Sequence, residues 1–275
     1  MEVELDLTGS VVENAQEHYR NAKKAAEKLK GAEKALKETE AKISKLRNDE
    51  SSVKKKTVRK KPEAEKRWHD KFRLFESSDN FLVVGGRDAV TNEILVKKHV
   101  DKNDVIFHAD VQGAPFFVIK NPEKKTVPEE TMRETAEAAA SYSSSWKRGI
   151  GSCDVYQVMP EQVSKKAESG EYLPKGAFMV RGEKNWFRNM ELKLAVGFIT
   201  GENAVAIGGP VSAVASKTKN YAEVGVGDMK SRELAAEIKK AVLRKTSRGE
   251  GVKVKAVPLD EIQKFIPGGQ GRVLS

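Results

Sequence analysis

The period of the apolar positions changes near residue 80 of this chain. Between residues 10 and 48 the repeat alternates steps of four and three: Val11, Ala15, His18, Ala22, Ala25, Leu29, Ala32, Leu36, Thr39, Ile43 and Leu46. That is the a/d seam of a heptad pattern, and it predicts one long helix with a coiled-coil face. Ser10 suits the N-cap, with Glu13 completing a capping box. Alanine recurs along the seam, so a partner helix would have to approach closely and bind weakly. From Glu63 the spacing of Trp68, Phe72 and Phe75 predicts a shorter second helix, to Glu76. The two arms differ in length. Either the hairpin is asymmetric, or the long helix meets another chain as a weak homodimer.

Beyond residue 80 short apolar runs alternate with amphipathic stretches. Strands are predicted at Phe81–Val84, Asp104–Ala109, Phe116–Ile119, Val155–Val158, Ala177–Val180, Lys193–Ile199, Val205–Ile207 and Val211–Ala215. Helices are predicted at Asp88–Val100, Val127–Lys147, Ser231–Lys245 and Leu259–Phe265. Pro128 and the acids Glu129 and Glu130 mark one helix start, and Arg148-Gly149 its end. The tail PGGQGRVLS reads as frayed. The expectation is therefore a coiled-coil segment at 1–79 and one mixed-sheet domain of the α/β or α+β class at 80–275.

Charge changes this picture. The formal net charge of the 275 residues is +10, which favours a polyanionic partner, nucleic acid before a membrane surface. Residues 49–62 concentrate it in Lys54, Lys55, Lys56, Arg59, Lys60 and Lys61. Such a run is either a solvated linker or a phosphate-contacting tip. No stretch reaches the roughly 20 apolar residues of a membrane helix, and the N-terminus lacks the layout of a signal peptide. A single cysteine, Cys153, excludes an internal disulfide and a cysteine-built zinc site. The cytoplasm is the expected compartment.

Candidate chemistry is sparse. His108 and Asp110 sit two apart at a strand end, spacing that a metal pair or acid–base couple could use. No third ligand is near in sequence, so a structural His–Asp hydrogen bond competes with the metal-dependent nuclease reading. Ser141, Ser143, Ser144 and Ser145 lack a G-x-S-x-G turn, and neither GIGS nor IGGP is a Walker loop. In Gly170–Phe187 one strand is followed by Arg181, Gly182, Lys184, Asn185 and Trp186. Two cations, an amide and a ring suit phosphate anchoring with stacking on an unpaired base. The alternative places Trp186 and Phe187 in the core, with the cations only flanking them.

Several blocks in order carry a resemblance. GGRDAVTNEILV, HADVQGA and VIKN resemble the RNA-binding domain of the NFACT proteins, the ribosome quality-control factors. SVVENAQEHYRNAKKAAEKLKGAEKAL is similar to the first arm of that family's coiled coil. YQVMPEQVSKKAESGEYLPKGAFMVRGEKNW is similar to its archaeal and eukaryotic branch. The resemblance runs from about Leu5 to about Pro267. It implies binding to ribosomal RNA and tRNA on large subunits obstructed by peptidyl-tRNA, with no catalysis, no cofactor and no metal. Matched to the motifs, the RNA-binding role falls on Arg87, Asn92, Lys97, Lys98, His108, Lys120, Arg181, Lys184 and Asn185. Leu74, Asn80 and Gln112 depart from the family's usual tryptophan, glycine and histidine. The family's N-terminal domain and helix-hairpin-helix segment have no match in these residues, so support of C-terminal tailing is not expected. A coiled-coil interaction scaffold remains the alternative.

Overall fold

A computed structural model of the chain describes residues 10–52, 67–165 and 176–274. It divides into two compact units, Met1–Glu65 and Lys66–Ser275. The basic run Lys54, Lys55, Lys56, Arg59, Lys60 and Lys61 lies outside the described residues, as do Glu63–Glu65 of the expected second helix.

The first unit holds one helix, α1 (Val11–Ser52). Its start is the reciprocal capping box read from the sequence. The Glu13 amide donates to Ser10 Oγ at 3.3 Å, and the Ser10 amide donates to the Glu13 carboxylate at 2.7 Å. The Ser10 amide and, at 2.8 Å, the Ser10 hydroxyl both donate to the Glu13 carboxyl and hold it below its usual range. The seam stays open to solvent: Leu29 is 62% and Leu36 61% exposed. The side chains of Ile43 and Leu46 lie outside the description.

The second unit is α+β, with helices packed on antiparallel sheets. A six-stranded sheet is built from β1 (Arg73–Glu76), β2 (Leu82–Gly85), β3 (Val105–Ala109), β4 (Phe116–Ile119), β5 (Ser152–Val158) and β8 (Asn185–Glu191), in the order β1-β2-β4-β3-β5-β8. A two-stranded ribbon pairs β6 (Val163–Ser164) with β7 (Met179–Val180). A four-stranded sheet, in the order β10-β9-β11-β12, joins β9 (Lys193–Thr200), β10 (Ala204–Gly209), β11 (Tyr221–Lys230) and β12 (Gln270–Val273). All pairings among the described residues are antiparallel. Where a single mixed sheet was expected, the strands form two separate antiparallel sheets and a two-stranded ribbon.

Two apolar clusters divide the six-stranded sheet by face. Phe107, Phe117, Val155 and Phe75 join Trp146, Phe198 and the helices α3 (Glu129–Ser141), α4 (Ser144–Lys147) and α6 (Ser231–Lys245) in the larger one. Ile106, Phe116, Val118 and Tyr156 face the other way and pack with Phe72, Val84 and Leu95 of α2 (Ala89–Lys98). The remaining helices, α5 (Val211–Lys217), α7 (Arg248–Ala256) and α8 (Leu259–Gln263), lie among the strands of the C-terminal half.

Four local readings are corrected. Residues 68–76 are a 3-10 turn, Trp68–Lys71, followed by β1, and not a helix. Phe72 and Phe75 belong to opposite clusters, which strand alternation permits and one helix face would not. The helix expected over Val127–Lys147 breaks at Tyr142–Ser143, where Ser143 caps α4. Val211–Ala215 is helical because Pro210 sets its entry and Ala213 and Val214 are buried at i, i+1. The tail is not frayed: β12 pairs with β11, and a side chain at Gly271 would fall 2.9 Å from the Gly225 carbonyl.

Candidate nucleic-acid interface

Residues paired directly across strands share one face of a sheet. Phe116 of β4 pairs with His108 of β3, His108 with Tyr156 of β5, and Tyr156 with Trp186 of β8. The result is a row of rings across four strands, with centroids 4.4 Å, 5.6 Å and 5.5 Å apart in that order. The row ends on β8, the outer strand of the six-stranded order. There Lys184 places its ammonium 4.2 Å from the Tyr156 ring and 5.5 Å from the Trp186 ring. Arg188 lies 4.2 Å from the Trp186 ring and pairs with Asp154 at 2.6 Å. These cations sit over π faces while their charge remains exposed to a phosphate. A base stacking on Trp186 would take the place of Arg188. Asn185, on the same strand, donates to Gln157 at 3.0 Å and is exposed. Arg181 is exposed on a turn held by Gln162, whose amide donates to the carbonyls of Arg181 and Glu183 at 2.9 Å and 2.7 Å.

A cleft of about 450 Å³ opens at the other end of the row. Arg87, Asp88, Asn92, His108, Phe116, Tyr142, Tyr156 and Phe178 contribute to its lining. His108 Nε2 lies 3.1 Å from the Ala114 carbonyl, which can only accept, so Nε2 carries the proton. Nδ1 is then the acceptor of the Tyr156 hydroxyl at 3.3 Å. Burial pushes the His108 imidazole down to about 4, so the ring is neutral at physiological pH. Burial, with Asp110 adding to it, pushes the Tyr156 hydroxyl up to about 12. The His–Asp hydrogen bond expected from sequence is replaced by these two contacts. Among the described residues no three His, Cys, Asp or Glu side chains form a group that could hold a metal ion.

Other expected contacts turn inward. Asn92 is buried, accepts the Phe116 amide at 3.1 Å and donates to the Ala114 carbonyl at 3.5 Å. It ties α2 to the loop before β4, and Gly86 is required beside it: a Cβ there would fall 1.9 Å from Asn92 Oδ1. Lys120 reaches the His99 carbonyl at 2.7 Å, Asp101 at 2.8 Å and the buried Asp104. Asp104 also accepts the Asn121 amide at 2.9 Å. Lys97 pairs with Glu93 at 2.6 Å on α2, and Lys98 is exposed at the end of that helix.

Residues 71–182 match the family model of the NFACT protein RNA binding domain. Over 150 residues the chain is 51% identical to the archaeal Rqc2 homolog aRqcH of Methanocaldococcus jannaschii, which covers 54% of this chain and 22% of that protein. It is 37% identical over 205 residues to the ribosome quality control complex subunit NEMF homolog of Drosophila melanogaster, covering 72% of this chain and 20% of that protein. Residues 71–182 thus carry an NFACT-type RNA-binding domain. The chain spans about a fifth of the length of these curated relatives. The C-terminal part of the fibronectin/fibrinogen-binding protein from Streptococcus suis aligns with 66% of this chain and 76% of its own. The identity is 21% and the TM-score 0.38, too low to bear on the fold.

Two residues of the second unit escaped the sequence reading. Arg188 continues the period-two spacing of Lys184 and Trp186, a signal present in the sequence once residues 185–191 are read as a strand. Arg73 had no such signal. Its guanidinium lies 4.1 Å over the Tyr142 ring, its Nε is buried with no hydrogen-bond partner, and burial lowers its pKa. Among the described residues no helix is long and apolar enough to cross a membrane.

Proposed function

We propose that the chain is an RNA-binding component of ribosome-associated quality control, contacting ribosomal RNA and tRNA on large subunits obstructed by peptidyl-tRNA. The supporting observation is the ring row that ends on the outer strand β8 with Lys184 and Arg188 over Trp186. Rings and cations in one strip provide stacking and phosphate contact together, the combination that single-stranded RNA requires. The names of the relatives supply the ribosomal setting. Arg181, Lys184, Asn185, Trp186 and Arg188 are the working residues of this surface, with Arg87, Lys97 and Lys98 on a second approach along α2. Asn92, His108 and Lys120 build the scaffold behind them. The role is binding, without catalysis, in the cytoplasm.

Co-sedimentation with purified large subunits across a salt series tests this. Phosphate contacts release counterions, so affinity falls steeply with salt. Arg181→Ala with Lys184→Ala weakens binding and lowers the magnitude of the log–log salt slope by about one per lost contact. Normal binding with a lower melting temperature would make both residues structural.

A second reading rests on α1. Its seam is exposed at Val11, Leu29 and Leu36, which fits a coiled-coil interaction or oligomerisation scaffold. Retention of subunit binding after loss of the Trp186 surface would favour it.

A further inference from the structure

We propose that the cleft lined by Arg87, His108, Phe116, Tyr156 and Phe178 takes a single unpaired nucleotide of RNA, its base among the rings and its phosphate toward Arg87. This deepens the RNA-binding reading above and rests on it. The cleft, about 450 Å³, falls in the range of about 300–1,000 Å³ in which small ligands are enclosed. A continuous duplex cannot enter a space of that size, whereas one base turned out of a strand can.

The wall is built for a neutral, flat group. Phe116 meets Phe178 edge to face at 5.6 Å and His108 at 4.4 Å, so ring surfaces converge from β3, β4 and the segment before β7. That segment is fixed to α2 by the Gly176 amide donating to Glu93 at 3.2 Å, and by Lys165, which donates to the Ala177 carbonyl at 2.9 Å. His108 adds no charge at neutral pH, because burial holds the ring neutral, and its one proton is donated to the Ala114 carbonyl. The Tyr156 proton is committed to His108 Nδ1. Its oxygen keeps lone pairs and can accept from the exocyclic amine of a base. Lys184 and Lys165 lie over the Tyr156 and Phe178 rings, 4.2 Å and 5.2 Å from their centroids, but neither is among the described residues that line the cleft.

The other end has the opposite character. Arg87 is exposed and precedes the start of α2, where the positive end of the helix dipole adds to its charge. Asp88, the acid on that side, is occupied by the Thr91 amide at 2.8 Å. Arg87 and Tyr142 also line the small neighbouring cavity that holds Arg73. The partnerless Arg73 Nε is thus a second positive group close to the same end. One aromatic neutral end and one cationic end match the two halves of a nucleotide.

The test compares two hairpin RNAs on the full chain, one fully paired in its stem and one with a single bulged nucleotide. The expected result is tighter binding of the bulged hairpin by about tenfold, the scale of one stacked base. Ala177→Phe, which fills the cleft from its rim, removes that preference and leaves affinity for the paired hairpin unchanged. Tyr156→Phe removes the acceptor oxygen together with its hydrogen bond to His108 Nδ1 and narrows the preference, with melting curves confirming the fold of both variants. Equal binding of the two hairpins by the unaltered chain overturns the proposal, as does a preference that survives Ala177→Phe in a folded protein. In either case, loss of both hairpins on Arg181→Ala with Lys184→Ala would leave the Trp186 surface standing. Failure of the unaltered chain to bind any RNA would instead remove the RNA-binding reading itself.

Discussion

The helix α1 and the sheet domain use their apolar residues in contrary ways. In α1 the apolar stripe is regular and open, with Leu29 and Leu36 more exposed than not. In the domain the apolar positions are irregular in spacing, yet Phe107, Phe117, Val118 and Ile119 are fully buried. Regularity of pattern therefore measures how well a segment holds its local shape, and burial measures how many partners the fold brings to it. α1 holds its shape through its capping box and its run of good helix formers. The domain is held by contacts between residues distant in sequence.

The largest expected effect exploits that difference. Lys120→Met leaves Asp104 buried without its cation and should destabilise the domain by about 3–5 kcal/mol, the usual result of halving a buried ion pair. The change should show in thermal or denaturant unfolding. The helical signal of α1 should persist after the domain melts, and a single transition for both units would break the contrast.

A smaller effect is pH-dependent. His108 is about 4 in the folded chain against 6.5 for a free imidazole. The unfolded chain therefore binds the extra proton first as pH falls. Stability is fully present above 6.5 and is lost between 6.5 and about 4, by about 3 kcal/mol. His108→Gln should flatten the difference over that window. An unchanged slope in urea unfolding at pH 4.5 and 7 would show that His108 is not held neutral.

The smallest effect on the domain belongs to the helix. Leu29→Lys with Leu36→Lys should abolish any concentration-dependent dimer in sedimentation. The melting of residues 67–274 should stay within about 0.5 kcal/mol, as for surface changes. A strict monomer at high concentration with α1 protected from hydrogen exchange would show that the seam is already covered.

Much of the fold was legible because local signals agreed. The helix expected at Asp88–Val100 forms as α2, and the strands expected at Asp104–Ala109 and Phe116–Ile119 form as β3 and β4. Trp68, Phe72 and Phe75 misled because steps of four and three satisfy a helix on paper. In the fold Trp68 stacks on His99 at 4.2 Å, and Phe72 and Phe75 separate onto two faces. The arrangement of the candidate site was legible where residues stood close in sequence, as at Lys184 and Trp186, whose side chains the fold brings together. It was not legible where a contact depended on a distant partner. Lys120 looks like a surface cation until Asp101, Asp104 and the His99 carbonyl are beside it. Asn92 looks like a free amide until Phe116 and Ala114 occupy it.

The three tryptophans occupy three unlike surroundings, and this makes the molecule its own optical instrument. Trp146 is fully enclosed and donates to the Gln270 carbonyl at 2.7 Å, so its emission should lie at the blue end and report on the C-terminal strand. Trp68 is 40% exposed and stacked on an imidazole, so its emission should be quenched as the His99 ring gains a proton. Trp186, between Lys184 and Arg188, should change in intensity when either cation is drawn away from its ring. With the other two replaced by phenylalanine, each remaining indole reads one event: closure of the second sheet, the state of the turn before β1, or the arrival of a ligand at β8.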